Sequence, residues 1–141
     1  MIRPAVCADA PGIYTLICAL EETRFPQEIF MWGLDIMLGS PSHILLVSEE
    51  QGDIVGLLHM RMEFQLHHCG KVAEILELIV SREVRSQGIG AALLKAARAQ
   101  AVQQHCIQFE VTSNRKREKA HCFYRRDGLE QTHVKLTEAL L

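Results

Sequence analysis

The stretch Arg85-Ser86-Gln87-Gly88-Ile89-Gly90 separates an apolar run from a long helical pattern. The apolar run, residues 75–80, predicts a buried strand, and residues 91–104 have the spacing of an amphipathic helix. The first turn of a helix presents unpaired backbone N–H groups and the positive end of the helix dipole. Glycine has no side chain, so a phosphate group can approach these N–H groups closely. The stretch therefore predicts a turn that binds a pyrophosphate, with Arg85 as a fixed positive charge at its entrance.

Two better known nucleotide-binding motifs do not fit this turn. A P-loop requires Lys and then Ser or Thr directly after its last glycine, whereas Gly90 is followed by Ala91 and Ala92. A dinucleotide-binding fingerprint requires three spaced glycines, and this turn has two. Two interpretations are left: an Arg-x-x-Gly-x-Gly cofactor loop, or a glycine-bearing turn between a strand and a helix that binds no ligand.

Length and composition indicate one folded domain, residues 1–141. Apolar residues make up 48% of the chain and charged residues 23%, which is typical of a globular protein. The net charge of −2 gives no basic excess for nucleic acid, and no apolar run approaches the length of a membrane span. The N-terminus lacks the apolar core of a signal peptide, and the five scattered cysteines form no CxxC pair. We therefore expect a cytoplasmic protein with reduced cysteines that binds neither nucleic acid nor membrane.

The other patterns predict alternating strands and helices without a repeat or a linker. Strands are expected at residues 2–6, 43–48, 54–64, 72–80, 107–112 and 129–136, and helices at residues 10–22, 27–38, 91–104 and 120–126. Asp9 is expected to cap the first helix, and Gln51-Gly52 to lie at the turn of a hairpin. This order of elements predicts an α/β or α+β fold with a mixed sheet.

The element order and two motifs resemble the GNAT superfamily of N-acetyltransferases. The Arg85–Gly90 turn is similar to the acetyl-CoA loop of that superfamily, although Ser86 stands where glycine is frequent. Residues 120–129, Ala-His-Cys-Phe-Tyr-Arg-Arg-Asp-Gly-Leu, resemble its Ala-x-x-Phe-Tyr-x-x-x-Gly-Phe segment. The resemblance implies a GNAT fold, with a central, mostly antiparallel sheet flanked by helices, and acetyl-CoA as the co-substrate.

Further strings resemble one group within that superfamily, the aminoalkylphosphonate N-acetyltransferases. These are Tyr-Thr-Leu-Ile-Cys-Ala-Leu at 14–20, Phe-Gln-Leu-His-His at 64–68, Glu-Ile-Leu-Glu-Leu at 74–78 and Leu-Thr-Glu-Ala-Leu at 136–140. The resemblance implies acetyl transfer to the amine of a small aminoalkylphosphonate, as part of phosphonate metabolism. Two alternatives stay open: another small amine as the acceptor, such as a polyamine or an amino acid, and a module that senses acyl-CoA without turnover.

The resemblance also implies which residues contact acetyl-CoA. The turn would bind the pyrophosphate through its backbone N–H groups and one side chain: Arg85, Ser86, Gln87, Gly88, Ile89 and Gly90. The backbone of Leu78, Ile79 and Val80 would pair with the pantetheine arm, where the strand of this superfamily splays from its neighbour, often with a bulge. Asn114 matches a position near that arm, and a loop cap is the alternative for its side chain.

Three residues are candidates for proton transfer. Glu74 and Glu77 lie in an apolar strand, where a carboxylate is costly unless it is paired or functional. Their odd spacing places them on opposite faces of a regular strand, so one of them faces the substrate unless a bulge intervenes. The resemblance favours Glu74 as the base, acting directly or through a water, with a structural ion pair as the alternative. Tyr124 matches the tyrosine that protonates the leaving thiolate, and core packing is its alternative. No cysteine has the setting of an acyl carrier, which favours direct transfer.

A phosphonate needs concentrated positive charge. The substrate-binding candidates are Arg24, His59, Arg61, His67 and His68. His59 and Arg61 are two residues apart in one strand and therefore share a face. Histidines and carboxylates could also hold a divalent metal that bridges to the phosphonate, while ordinary surface histidines are the alternative. An exposed sheet edge of this kind often pairs with another chain, which allows a homodimer.

Overall fold

A computed structural model describes residues 1–141. The strands are β1 (Ile2–Pro4), β2 (His43–Glu50), β3 (Asp53–Gln65), β4 (Gly70–Val80) and β5 (Gln108–Val111). The helices are α1 (Ala10–Glu21), α2 (Gln27–Leu38), α3 (Ile89–Gln103) and α4 (Glu118–Arg126), with short 3₁₀ turns at Cys7–Asp9 and Arg82–Val84. None of the helices combines the length and the apolar character that crossing a membrane requires.

The five strands form one sheet in the order β1-β2-β3-β4-β5. Neighbours from β1 to β4 are antiparallel, and β4 and β5 are parallel. The β2–β3 hairpin turns at Gln51 and Gly52, whose φ angles of 51° and 86° are those a type I′ turn requires. The expected mixed sheet, mostly antiparallel and flanked by helices, is confirmed.

Helices cover the sheet on both sides and bury two apolar layers. On the face covered by α1 and α2, the layer consists of Ile13, Leu16, Leu34, Leu45, Val47, Leu57 and Ile79. The layer on the face covered by α3 and α4 includes Leu46, Leu58, Met60, Ile75, Leu93, Leu94 and Tyr124. Successive residues of a strand point to opposite faces, so Leu57 and Leu58 are both buried, each in a different layer. We refer to these sides as the α1–α2 face and the α3–α4 face.

A bulge in β4 decides which side chains share the α1–α2 face. His59 pairs with Glu77, whereas Met60 pairs with Ile75, so Leu76 has no partner on β3. One extra residue reverses the alternation of side chains. Glu74 and Glu77 therefore lie on the same face, although their odd spacing predicts opposite faces.

The strand β4 also extends beyond its parallel neighbour. The pairing of β5 with β4 covers Val72 to Ile75 and stops there, while β4 continues to Val80. The edge of β4 at residues 76–80 thus faces no strand on the β5 side. This gap is the separation of strands that the resemblance implies.

Two local predictions are wrong. Residues 129–136 form no strand, because the chain leaves α4 without reaching the sheet. Residues 130–141, which we call the C-terminal tail, are exposed throughout. Asp9 precedes α1 but its carboxylate does not cap that helix. It accepts hydrogen bonds from Arg3 and from the backbone N–H of Val6, because both donors lie closer to it than the first turn of α1 does.

Candidate active site

The turn between β4 and α3 leaves a row of backbone donors free. No hydrogen bond within the chain uses the N–H groups of residues 87–91, and the first bond of α3 runs from Ala92 N–H to Gly88 O at 3.0 Å. Gly88 has a φ of 82° and Ser86 a φ of 67°, so both adopt the left-handed conformation that glycine adopts most easily. Free N–H groups at a helix start, together with the helix dipole, attract an anion.

Glycines also determine how closely other groups approach this turn. A Cβ atom at Gly56 of β3 would lie 3.1 Å from Ile89 and from Leu93, so glycine there lets the start of α3 pack against the sheet. A Cβ atom at Gly90 would meet Phe123 at 3.6 Å, which is an ordinary contact. Packing within the chain therefore does not require glycine at position 90, whereas the approach of a ligand would explain it.

The free edge of β4 leads directly into this turn. Beyond the last residue pair with β5, the backbone of residues 76–80 has a strand, β3, on one edge only and none on the β5 side. Arg85 folds back over the end of that edge, and its Nε donates to Val80 O at 3.1 Å. The unpaired backbone groups at this edge of β4 are followed directly by the unpaired N–H groups at the start of α3. We call this continuous row of backbone groups the track along β4 and α3; it suits an extended molecule that carries a phosphate at one end.

Two histidines and a carboxylate form a hydrogen-bonded row across three strands. His59 Nδ1 lies 2.8 Å from Glu77 Oε2, and His59 Nε2 lies 2.8 Å from His43 Nδ1. When His59 is neutral, Glu77 accepts its Nδ1 proton, and its Nε2 accepts the Nδ1 proton of His43. Burial, and then the charges of His59 and Arg61, lower the pKa of His43 below its ordinary value of 6.5. The sequence reasoning missed His43.

Arg61 and Glu74 form a second pair beside that row. Arg61 Nη2 lies 3.1 Å from Glu74 Oε1, and Thr112 donates to the other oxygen of Glu74 at 3.4 Å. Arg61 also lies 3.5 Å from Glu63, at the exposed rim of the sheet. The ion pair, which was the structural alternative for Glu74, is thus present. The Nε atom of Arg61 is buried and has no partner, so the guanidinium retains a free donor.

The polar residues of this face carry more negative than positive charge. His68 Nε2 lies 4.0 Å from Glu110 of β5, while the ring of His67 lies against that of His68 with centroids 4.3 Å apart. We call the whole set the polar cluster: His43, His59, Arg61, Glu63, His68, Glu74, Glu77 and Glu110. No three or more His, Cys, Asp or Glu side chains are placed so that together they could hold a metal ion.

Tyr124 approaches from the other side of the sheet. It is buried in the layer under α3 and α4, and burial raises the pKa of its hydroxyl above the ordinary value of 10. The hydroxyl forms no hydrogen bond within the chain, so its proton is free to be donated. Glu74 and Tyr124 thus lie on opposite faces of the sheet.

Two predicted residues lie apart from the polar cluster. Arg24, between α1 and α2, lines a groove of about 800 Å³ whose walls include none of the polar strand residues. Asn114 follows β5, and its Oδ1 accepts the backbone N–H of Lys116 at 2.9 Å. Its side chain is therefore a loop cap, while its amide nitrogen makes no bond within the chain.

Comparison with known proteins agrees with this geometry. The sequence profile of the acetyltransferase (GNAT) family matches residues 11–129. The chain belongs to the GNAT acetyltransferase family. Acetyl-CoA is the acyl donor of GNAT enzymes, so this chain is an acetyl-CoA-dependent N-acetyltransferase.

Individual relatives of this GNAT chain are known from sequence and from structure. It is 35% identical to an aminoalkylphosphonate N-acetyltransferase of Salmonella typhimurium over 99% of this chain and 90% of that one. A crystal structure described as a transcriptional regulator from Bacillus halodurans superimposes with a TM-score of 0.92, 21% identity and 99% coverage of both chains. Glucosamine-6-phosphate N-acetyltransferase from Arabidopsis thaliana gives a TM-score of 0.85 and 19% identity, with 99% and 97% of the chains covered. The two structures show the shared fold.

Proposed function

We propose that this GNAT enzyme transfers the acetyl group of acetyl-CoA directly to the amine of small aminoalkylphosphonates. The observation that carries the proposal is its similarity to the Salmonella enzyme, which extends along nearly the whole chain. Phosphonate metabolism in the cytoplasm would then be its setting. The geometry of the α1–α2 face suggests how such a substrate is held.

The track along β4 and α3 suits the co-substrate. The free N–H groups of residues 87–90, with Arg85 and Ser86, would bind the pyrophosphate. The backbone of Leu78, Ile79 and Val80 would pair with the pantetheine arm along the open edge of β4. With the cofactor bound in this way, the thioester would lie in the gap between β4 and β5, within reach of both faces. The amide nitrogen of Asn114 has no partner in the chain and could bond to the arm.

Glu74 and Tyr124 supply the two proton transfers from opposite sides of that gap. Glu74, directly or through a water, takes the proton of the substrate ammonium, so that the amine nitrogen can attack the thioester carbon. As the new C–N bond forms and the C–S bond breaks, Tyr124 donates its proton to the leaving sulfur, and the second proton lost by the nitrogen returns to the tyrosinate through water. Its raised pKa keeps the hydroxyl protonated until that moment.

The Arg61–Glu74 pair presents opposite charges side by side, 3.1 Å apart. An aminoalkylphosphonate with a short spacer carries the complementary charges at a similar separation. Its ammonium would bond to Glu74, and its phosphonate to Arg61. The contact of Arg61 with Glu63 is long and solvent-exposed, so the phosphonate can replace Glu63 at little cost. His59, His67 and His68 could donate further hydrogen bonds to the phosphonate. Arg24 could contact the phosphonate only if the loop between α1 and α2 moved.

The charge of the polar cluster favours a second candidate, a small di- or polyamine. The cluster contains four carboxylates and one guanidinium, and Glu63 and Glu74 contact that guanidinium while Glu77 and Glu110 contact histidines. Such a site attracts a cation that carries no anionic group at all. The two candidates differ in what they require of Arg61, because only the phosphonate needs its positive charge.

Release of CoA thiol, measured with matched acceptors, tests the proposal. The acceptors are aminomethylphosphonate, 2-aminoethylphosphonate, their carboxylate analogues glycine and β-alanine, and a diamine. We expect turnover with the phosphonates, and Arg61→Ala should raise their KM at least tenfold, the loss of one charge-assisted hydrogen bond. Preference for the diamine, with a KM that Arg61→Ala leaves unchanged or lowers, would establish the second candidate instead. Chelator treatment in the same assay tests whether any metal takes part.

A further inference from the structure

The loop between β5 and α4 brings an arginine to the start of the helix that carries Tyr124. We call residues 112–117 the β5–α4 loop; it begins where β5 ends, at the gap between β4 and β5. Its last residue, Arg117, is the N-cap of α4. Tyr124 follows seven residues later, about two helical turns, so both residues lie along the same side of α4. Side chains of a helix lean toward its N-terminus, so the ring of Tyr124 extends toward the turn that Arg117 begins.

The backbone of Arg117 is held in place, whereas its guanidinium has no partner within the chain. The N–H group of Arg117 donates to Asn114 O at 2.9 Å, and its carbonyl oxygen accepts the N–H of His121 at 3.1 Å. Other arginines of the chain contact a carboxylate: Arg3, Arg61, Arg82 and Arg98. No ion pair neutralises the charge of Arg117, so this charge is available to a group that becomes negative during a reaction.

The hydroxyl of Tyr124 is under two opposing influences. Burial raises its pKa, and the positive charge of Arg117 acts in the opposite direction. Several ionisable groups on the surrounding elements have partners of their own: Glu74, Arg98, His121 and Asp127. Of the unpaired charges in this part of the molecule, Arg117 is the one that favours the ionised form of Tyr124.

Two buried hydroxyl groups, one in the loop and one on α4, lack the partner that buried polar groups normally have. The Oγ atom of Ser113 is buried and forms no hydrogen bond. The hydroxyl of Tyr124 forms none either. Buried polar side chains are nearly always hydrogen-bonded, so these two groups indicate a place that a bound molecule completes. The gap in which the thioester would lie opens at the start of the same loop.

We propose that Arg117 stabilises the negative charge that develops on the leaving sulfur and on the phenolate of Tyr124. The inference rests on the proposed role of Tyr124, and it does not depend on which amine is the acceptor. As the C–S bond breaks, its electron pair stays on the sulfur and the proton of Tyr124 passes to it. The phenolate then carries the negative charge until a proton returns through water. The guanidinium stays protonated throughout, and it stabilises these charged states more than the neutral thioester, which raises kcat.

Thiol release by Arg117→Gln, with Arg115→Gln as the matched control, tests the proposal in an assay with the acceptor that gives turnover. Arg115 carries the same charge in the same loop. Arg117→Gln should lower kcat roughly tenfold, less than the loss of a donor in direct contact, because solvent screens this exposed side chain. Arg117→Lys keeps the charge and should retain most of kcat. Equal effects of the two Gln substitutions, or a loss that lysine does not prevent, would overturn the proposal.

A donor without phosphate groups separates this role from binding of the cofactor. Residues 115–119 carry four positive side chains, which could instead bind a phosphate of acetyl-CoA. S-Acetylpantetheine has the same thioester and no phosphate. Arg117→Gln should lower kcat/KM by the same factor with both donors. A loss confined to acetyl-CoA would assign Arg117 to the phosphate and exclude a role at the sulfur.

The Tyr124→Phe background shows whether Arg117 acts through the tyrosine. In that background Arg117→Gln should cause no further loss of kcat, because the phenolate that it stabilises is gone. The same tenfold loss in both backgrounds would contradict the inference while leaving the proposed role of Tyr124 intact. Full activity of Tyr124→Phe alone would contradict the role of the tyrosine, and the inference with it.

A titration that needs no turnover measures the effect on the hydroxyl directly. The chain has two tyrosines, so Tyr14→Phe leaves Tyr124 as the single one. The absorbance of the tyrosinate, followed against pH in this background, should show a higher midpoint with Arg117→Gln than with Arg115→Gln. Circular dichroism at the same pH values confirms that the protein is folded. Identical midpoints in the folded proteins would show that Arg117 does not act on Tyr124.

Discussion

At the scale of single residues, the position of Glu74 is set by one extra residue, Leu76. Without that bulge, Glu74 would lie on the face opposite Glu77 and His59. With it, both carboxylates line the α1–α2 face beside the gap in the sheet. They still differ in their partners, because Glu77 orients His59 while Glu74 contacts Arg61 and Thr112. In the proposed mechanism Glu74 is the base, and Glu77 positions His59.

We predict that Glu74→Gln lowers kcat by roughly 10²–10⁴-fold, the usual contribution of a general base. Glutamine keeps the shape and a hydrogen bond to Arg61 but cannot accept the ammonium proton. The affinity for acetyl-CoA, measured by calorimetry, should stay unchanged. Glu63→Gln removes a charge from the rim of the same face and is the control, since Glu63 has no proposed part in the chemistry. Equal effects of the two substitutions on kcat would show that Glu74 acts only through its charge.

The two tyrosines of the chain allow a similar comparison. Tyr124→Phe should lower kcat by roughly 10²–10⁴-fold with little change in stability, because the hydroxyl has no partner in the chain and is needed when sulfur leaves. Tyr14→Phe removes a hydroxyl that donates to the carbonyl oxygen of Phe25. It should lower the unfolding temperature and leave kcat unaltered. Full activity of Tyr124→Phe would remove this tyrosine from the mechanism.

The sequence points to the candidate residues of the site more readily than to their neighbours. Glu74, His59 and Arg61 stand out as polar residues in apolar strands, and Tyr124 is suggested by the resemblance of its segment. His43 does not stand out, since its place depends on strand register. If the register of the Glu50–Asp53 pair continued unchanged along the hairpin, His43 would pair with Met60, whose side chain lies on the α3–α4 face. An irregularity between Ser48 and Glu49 shifts the register by one residue, so that His43 pairs with Arg61 instead. Such a one-residue shift leaves no trace in composition or periodicity.

At the scale of elements, the start of α3 combines free N–H groups with a glycine that no neighbour crowds. Gly88 has a φ of 82° and open space beside it, and Gly52 in the β2–β3 hairpin has a φ of 86° and open space as well. The same substitution at the two positions therefore causes similar backbone strain. The positions differ in whether a pyrophosphate is expected nearby.

We predict that Gly88→Asp weakens acetyl-CoA binding at least tenfold, because its carboxylate faces the site of the pyrophosphate, whereas Gly52→Asp does not. Both should lower stability by about 1–2 kcal/mol, the cost of a left-handed non-glycine residue. Calorimetric titration with acetyl-CoA and thermal unfolding measure the two effects separately. Gly88→Ala adds the strain without the charge, so it should lie between the parent and Gly88→Asp in affinity. Unaltered affinity in folded Gly88→Asp would contradict the pyrophosphate site.

The order of elements follows from the sequence, with one instructive exception. The hairpin, the long central strands and α3 all lie where periodicity and turn residues predict them. Residues 129–136 have the alternation of a strand, yet they form none. A strand requires a neighbouring strand to pair with as well as an alternating sequence, and the alternation of polar and apolar residues does not identify that neighbour.

At the scale of the whole molecule, the polar cluster links stability to pH. The pKa of His43 lies below its ordinary value of 6.5 in the folded state, first because of burial and then because of the charges of His59 and Arg61. Between the folded pKa and 6.5, the unfolded chain binds more protons at this residue than the folded chain does. The free energy of unfolding therefore rises with pH across that interval, and it decreases as the pH falls from 7.

We predict that His43→Gln makes the free energy of unfolding less dependent on pH below 7, because the substitution removes the imidazole of His43 that titrates. The glutamine side-chain amide can still donate a hydrogen bond to His59. Denaturant unfolding at several pH values measures the slope. His105→Asn, at the exposed C-terminal end of α3, removes a histidine that has no contact with the cluster and should leave the slope unchanged. All variants should be compared at one protein concentration, so that any association between copies contributes equally to the unfolding free energy of each variant. A slope that His43→Gln does not alter would show that protonation of this residue has no part in the acid sensitivity of the fold.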